Sequence, residues 1–218
     1  MNRGAENVDL VVFDLGGVLA GFDGVSELKR LTGLDDAELW RRWLTCPWVR
    51  AYESGQCSSE AFASGVVGDW ELPLSPQAFL EAFQQWVTGP YEGACEILEA
   101  VKQQVPVACL SNTNEMHWAA GAKAWPLMSV FDFRFLSFQI GMLKPDPQVF
   151  RHVCEVTGRR PSQVLFLDDN VINVEAATSV GFAAVHVRGV SQAQRALIDA
   201  RVIPDLAVTP QQPVPRTT

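Results

Sequence analysis

The chain has 218 residues, 48% hydrophobic and 19% charged, and a net charge of −8. That is an ordinary globular composition with length enough for a sizeable core. The acidic balance excludes a surface that holds nucleic acid or an anionic membrane, because both need clustered Lys and Arg. It leaves a phosphate substrate open, since a metal ion can invert the local field.

The five cysteines are odd in number and dispersed, with no Cys-x-x-Cys pair. Neither a zinc site nor a disulfide framework is expected, and reduced thiols fit the cytosol. The first seven residues carry no apolar signal core and no segment is long enough to cross a bilayer, so the expected location is cytoplasmic.

The first apolar run, Val8 to Phe13, ends in Asp14 and breaks at once into Leu15-Gly16-Gly17-Val18-Leu19. A β-branched and aromatic run that meets paired glycines predicts a buried strand and a tight loop. Asp14 then stands at the carboxyl end of a strand, where open α/β sheets place their ligands. A carboxylate there, beside glycine amides that admit a phosphate closely, is a candidate nucleophile or metal ligand. Capping of a helix is the other reading.

Residues 21–89 contain no clear strand and predict several helices. Asp35 and Asp36 mark one start, Ser58-Ser59-Glu60 a second, and Ser75-Pro76 a third. Trp40, Trp43, Trp48, Trp70 and Trp86 all fall in this block. Packing of a small helical unit is the commoner use of such residues; an aromatic wall for a ring-shaped substrate is the other. Inserted after the first strand's loop, the block sits over the sheet's carboxyl end, where a lid belongs. Within it, Trp48 to Gly55, with Arg50, Tyr52 and Glu53, could point a cation and an acid at the substrate, but reads more readily as a turn whose charges face water.

Beyond residue 90, helical periodicity over Ala94 to Gln103, Asp146 to Thr157, Val171 to Val180 and Ala193 to Arg201 alternates with apolar runs. Those runs are Val105 to Leu110, Phe133 to Ser137, Val164 to Leu167 and Ala183 to Val187. Alternation of this kind predicts a parallel sheet with helices on both faces. Ser111 and Asn112 follow one run, and their hydroxyl and amide suit a phosphoryl oxygen or a helix cap. Lys144 stands in a proline-stiffened turn, Gly141 to Pro147, and can neutralise a phosphate. Asp168 and Asp169 end another run, and adjacent carboxylates there call for a cation such as Mg²⁺ or for capping of the next helix. His152 and His186 read as structural. The organisation expected is an α/β core of residues 1–20 and 90–203, a helical unit over 21–89, and a flexible tail from 204 to 218.

Taken together, Asp14, Ser111, Lys144 and the pair Asp168 and Asp169, each following an apolar run, resemble the four motifs of the haloacid dehalogenase-like hydrolase superfamily. Phe13 to Leu19, and Leu110 to Asn114 with His117 and Trp118, are most similar to a bacterial group of sugar-phosphate phosphatases. α-D-glucose-1-phosphate phosphatases belong to that group. The resemblance spans about Val8 to Val187 and implies a Rossmann-like core with an inserted helical cap.

It also implies a mechanism. Asp14 attacks phosphorus to form an aspartyl-phosphate, which water then hydrolyses. Mg²⁺ is held by Asp14, the Gly16 carbonyl and Asp169. Ser111 and Lys144 hold the phosphoryl group with the amides of Leu15 and Gly16, and Asp168 supports the metal's waters or orients Lys144. The partner is a small-molecule phosphate ester, handled by a monomer or homodimer.

One position departs from the pattern. Most phosphatases of the superfamily carry an acid–base aspartate two residues after the nucleophile, where this chain has Gly16. Asp23 and Glu53 are the candidates to replace it. A metal-free haloacid dehalogenase and a catalytically weakened binding protein are the alternatives this departure keeps open. His117 is expected as a polar contact on the pocket floor, with Trp118 beside it.

Overall fold

The computed structural model describes residues 7–120 and 122–205; most of the tail expected from residue 204 lies outside the described residues. Strands β1 (Leu10–Phe13) and β2 (Ala20–Phe22) lead into α1 (Gly24–Thr32), α2 (Asp36–Thr45), α3 (Pro47–Glu53), α4 (Ser59–Asp69) and α5 (Pro76–Gln84). The chain returns through β3 (Val87–Pro90), α6 (Ala94–Lys102), β4 (Val107–Ser111), α7 (Glu115–Ala120), β5 (Phe133–Leu136) and α8 (Ser137–Ile140). It closes with α9 (Pro147–Thr157), β6 (Val164–Asp168), α10 (Val171–Val180), β7 (Ala183–His186) and α11 (Gly189–Asp199). No helix among the described residues is long and apolar enough to cross a membrane.

Five strands form one parallel sheet in the order β5-β4-β1-β6-β7. β1 lies at its centre, and all four of its residues are fully buried. Side chains alternate across a strand, so Val11 and Phe13 join one core with Leu98 and Leu197. Leu10 and Val12 join the opposite core with Phe150 and Phe166. A continuous apolar run therefore suits a strand covered by helices on both faces. The expected α/β architecture is what the chain adopts, with Val8 and Val105 falling just ahead of their strands.

In the block after β2, three helices start at the expected residues. The side chains of Asp35, Ser58 and Ser75 accept the N–H groups of Glu38, Ala61 and Ala78 at 2.9, 3.3 and 3.1 Å. Each satisfies an amide that has no partner within its helix. Leu39, Trp43, Phe62, Phe79, Phe83 and Trp86 form a third core. The Trp43 ring lies 5.7–6.4 Å from those of Phe62, Trp70, Phe83 and Trp86, within the range of favourable aromatic pairs.

Two expectations for residues 21–89 are corrected. The block is not free of strand: β2 and β3 pair antiparallel, with a bulge between Gly21 and Phe22. The ribbon joins segments far apart in sequence, each too short and glycine-bearing to announce itself. The stretch around Arg50 is not a solvated turn but helix α3, opened by Pro47 at a position where proline is well tolerated. Arg50 reaches across to Asp146 at 2.5 Å. Gly55 adopts φ +73, and a β-carbon there would lie 2.6 Å from the Phe138 carbonyl oxygen. The helical block and the sheet core thus meet close to the Lys144 loop.

Candidate active site

The carboxyl ends of β1, β4 and β6 deliver the polar residues to one place. Asp14 continues β1 by one residue, its N–H bonded to the Leu167 carbonyl at 2.8 Å. The Leu15 amide donates to Asp14 Oδ1 at 2.8 Å. Gly17 has φ +70, and a β-carbon there would overlap the Asp169 carboxylate, so both backbone and space require glycine. Gly16 differs, because a β-carbon on it would meet only Phe22 Cβ, at 3.8 Å.

Lys144 is 2% exposed, and its ammonium lies 2.8 Å from Asp14 Oδ1 and 2.7 Å from Asp168 Oδ2. Its backbone is gripped by Asn112, whose Oδ1 accepts the Lys144 N–H and whose Nδ2 donates to the Lys144 carbonyl, both at 2.9 Å. The Asn112 amide is thus engaged in placing the lysine. Asp168 is fully buried and also accepts the Asn170 N–H at 2.8 Å and Asn173 Nδ2 at 3.0 and 3.1 Å. Asn173 escaped the sequence reading. Its one clue is its place four residues before Ala177, on the buried face of α10.

The electrostatics are those of an over-filled acidic site. Burial pushes the Asp14 carboxyl up to about 8, against the pull of Lys144 and with the repulsion of Asp168 and Asp169. Burial also raises Asp169 to about 6, assisted by Asp168 and opposed by Lys144 and Arg188. Burial disfavours the Lys144 ammonium, but Asp14 and Asp168 outweigh it and raise its pKa above the ordinary lysine value. Carboxylate oxygens of Asp14, Asp168 and Asp169 lie within 4.8 Å of one another. One ammonium among three acids leaves room in the charge balance for a divalent cation.

A cavity of about 300 Å³ opens over this cluster. Its floor includes Asp14, Leu15, Gly16, Ser111, Asn112, Lys144 and Asp169, and its other walls include Trp40, Trp43, Glu53 and Phe83 from the helical block. The tryptophans thus serve both readings: Trp43 packs the third core and, with Trp40, faces the cavity. Glu53 is 9% exposed, and burial raises it to about 7 despite a hydrogen bond from the Trp43 side chain. Asp23 is exposed ahead of α1 and is not part of the lining.

His117 also lines the cavity, with both ring nitrogens engaged. Nε2 donates to the Phe83 carbonyl at 2.7 Å, and Nδ1 accepts from Asn114 Nδ2 at 3.1 Å, a tautomer assigned from these partners. Burial lowers its pKa. Trp118 packs on the main core instead. His152 packs edge-on against Phe135, while His186 Nε2 donates to the Asp169 carbonyl at 2.9 Å. His186 thus stands nearer the site than a purely structural residue would.

The chain is 28% identical over 186 residues to D-ribitol-5-phosphate phosphatase of Bacteroides thetaiotaomicron, covering 79% of this chain and 88% of that one. It is 28% identical over 167 residues to (S)-2-haloacid dehalogenase 1 of Pseudomonas sp., covering 72% and 73%. It spans only 12% of the rat bifunctional epoxide hydrolase 2, with which it is 39% identical over 67 residues. A HAD family enzyme of Bacteroides thetaiotaomicron, solved with magnesium and inorganic phosphate, has the same fold. Its TM-score is 0.65 at 22% identity, over 84% of this chain and 95% of that one. The model for haloacid dehalogenase-like hydrolase matches residues 8–181, and the chain belongs to that family.

Proposed function

We propose that this hydrolase is a Mg²⁺-dependent phosphatase of small phosphorylated metabolites, sugar or polyol phosphates among them. The observation that carries the proposal is the buried cluster of Asp14, Asp168 and Asp169 around Lys144, open to a cavity at the sheet's carboxyl edge. The phosphatase relative from Bacteroides and the neighbour's magnesium and phosphate support it.

The residues fit a divalent ion, because three acids face one buried ammonium and burial raises both Asp14 and Asp169. Asp14, Asp169 and the Gly16 carbonyl would hold Mg²⁺, which ionises these carboxylates and neutralises charge on the phosphoryl oxygens. A carboxylate oxygen of Asp14 attacks phosphorus in line, forming the aspartyl-phosphate as the ester oxygen leaves. Lys144 and the Ser111 hydroxyl hold the phosphoryl oxygens, in a transfer where positioning and charge do most of the work. Asp168, saturated by Lys144, Asn170 and Asn173, fixes the lysine rather than reacting.

Gly16 and the Pseudomonas dehalogenase relative favour a second reading, in which Asp14 attacks carbon in a 2-haloacid. Hydrolysis of p-nitrophenyl phosphate and a sugar-phosphate panel, with Mg²⁺ and with EDTA, separates the two. Metal-dependent release of phosphate, absent in Asp14→Asn, is expected. Silence across the panel with halide release from 2-haloacids would overturn the phosphatase reading.

A further inference from the structure

A phosphatase must protonate the leaving alkoxide and deprotonate the attacking water, and Gly16 can do neither. Of the titratable side chains that line the cavity among the described residues, Asp14, Lys144 and Asp169 are already committed. His117 has both nitrogens bonded. Asp36 is mostly exposed and paired with Lys29 at 2.6 Å, and Arg188 is a permanent cation. That leaves Glu53.

We propose that Glu53, on α3 of the helical block, is the general acid and base of the reaction, standing in for the aspartate absent at Gly16. This rests on the phosphatase reading. Glu53 ends α3, is nine-tenths buried, and lines the same cavity as Asp14. Two contacts pin that helix end to the core beside the lysine: Arg50 on Asp146, two residues past Lys144, and Gly55 against the Phe138 carbonyl. The Trp43 side chain holds the carboxyl. Its value of about 7 keeps both protonation states available near neutrality, as acid–base catalysis requires.

The steps balance. As the Asp14 oxygen bonds to phosphorus and the ester P–O bond breaks, the Glu53 proton passes to the leaving oxygen and the alcohol departs. Glu53, now a carboxylate, takes a proton from the water that attacks the aspartyl-phosphate. The bond between phosphorus and Asp14 breaks, releasing inorganic phosphate and restoring both residues.

The test compares Glu53→Gln with the wild type on two esters in Mg²⁺, reading kcat/KM. p-Nitrophenolate leaves without a proton, whereas an alkyl alcohol such as that of glycerol phosphate does not. The expected result is a loss of about 10²–10⁴-fold on glycerol phosphate and less than about tenfold on p-nitrophenyl phosphate. Adding Gly16→Asp to Glu53→Gln, an exchange with room for its β-carbon, should restore part of the alkyl ester rate. Glu53→Asp, which keeps the acid, should show the same selectivity in weaker form and carries the test if the glutamine variant does not fold. Equal losses on both esters, or none on either, would overturn the assignment of Glu53. A wild type inert toward both esters would instead overturn the phosphatase reading, and this proposal with it.

Discussion

Glu53→Gln also tests the electrostatics of the cavity without any substrate. An acid moved from 4.5 to about 7 by folding binds its proton more tightly in the native than in the unfolded chain. Native stability therefore falls as pH rises between those values, and the cost is complete above the upper one. At 1.36 kcal/mol per pKa unit, the ionised carboxylate destabilises the fold by about 3 kcal/mol at pH 8. Near pH 5 the cost is about 1 kcal/mol. Glutamine fills the same space without the charge. Urea unfolding in EDTA at both pH values should show the variant about 3 kcal/mol more stable than the wild type at pH 8, and only about 1 kcal/mol more stable at pH 5. A variant less stable than the wild type at pH 8, or a difference independent of pH, would refute a buried and ionising Glu53.

Asp14→Asn should lower Mg²⁺-dependent turnover by at least about 10⁴-fold without lowering the melting temperature, because it removes a carboxylate that burial disfavours. Asn173→Ala should cost about 1–3 kcal/mol in urea unfolding, since Asp168 loses a donor shared by both its oxygens; no loss would mean the bond is incidental. Gly17→Ala should raise the Mg²⁺ concentration needed for half-maximal activity, with strain of about 1–3 kcal/mol from its positive φ. Gly16→Ala should titrate as the wild type does. Matching Mg²⁺ titrations for the two glycine variants would contradict the placement of Asp169 against Gly17.

The centre of the sheet was legible because β4, β1 and β6 are buried throughout. Val11-Val12-Phe13 and Val164 to Leu167 are uninterrupted apolar runs, and the residues that end them, Asp14 and Asp168, fall at one edge by topology alone. The helix starts in the inserted block were legible because Asp35, Ser58 and Ser75 act locally. What sequence could not supply was pairing across distance. Phe22 with Val87 and Arg50 with Asp146 are set by tertiary packing, which also turned an expected turn into α3. Asn173 sits in the first turn of α10, and only the buried carboxylate beside it gives it a task. Nor does any local pattern say that Glu53 lines the same cavity as Asp14.

The distribution of indoles gives the molecule a built-in optical readout. Five of its seven tryptophans lie in the helical block, while Trp118 and Trp125 pack on the main core. Trp43 sits within energy-transfer range of Trp70 and Trp86, so emission from the block behaves as a coupled set. Replacing Trp118 and Trp125 by Phe would leave a protein whose fluorescence follows the block alone. Trp40 and Trp43 would then report a molecule entering the cavity, and a red shift would report the block unfolding, independently of the sheet.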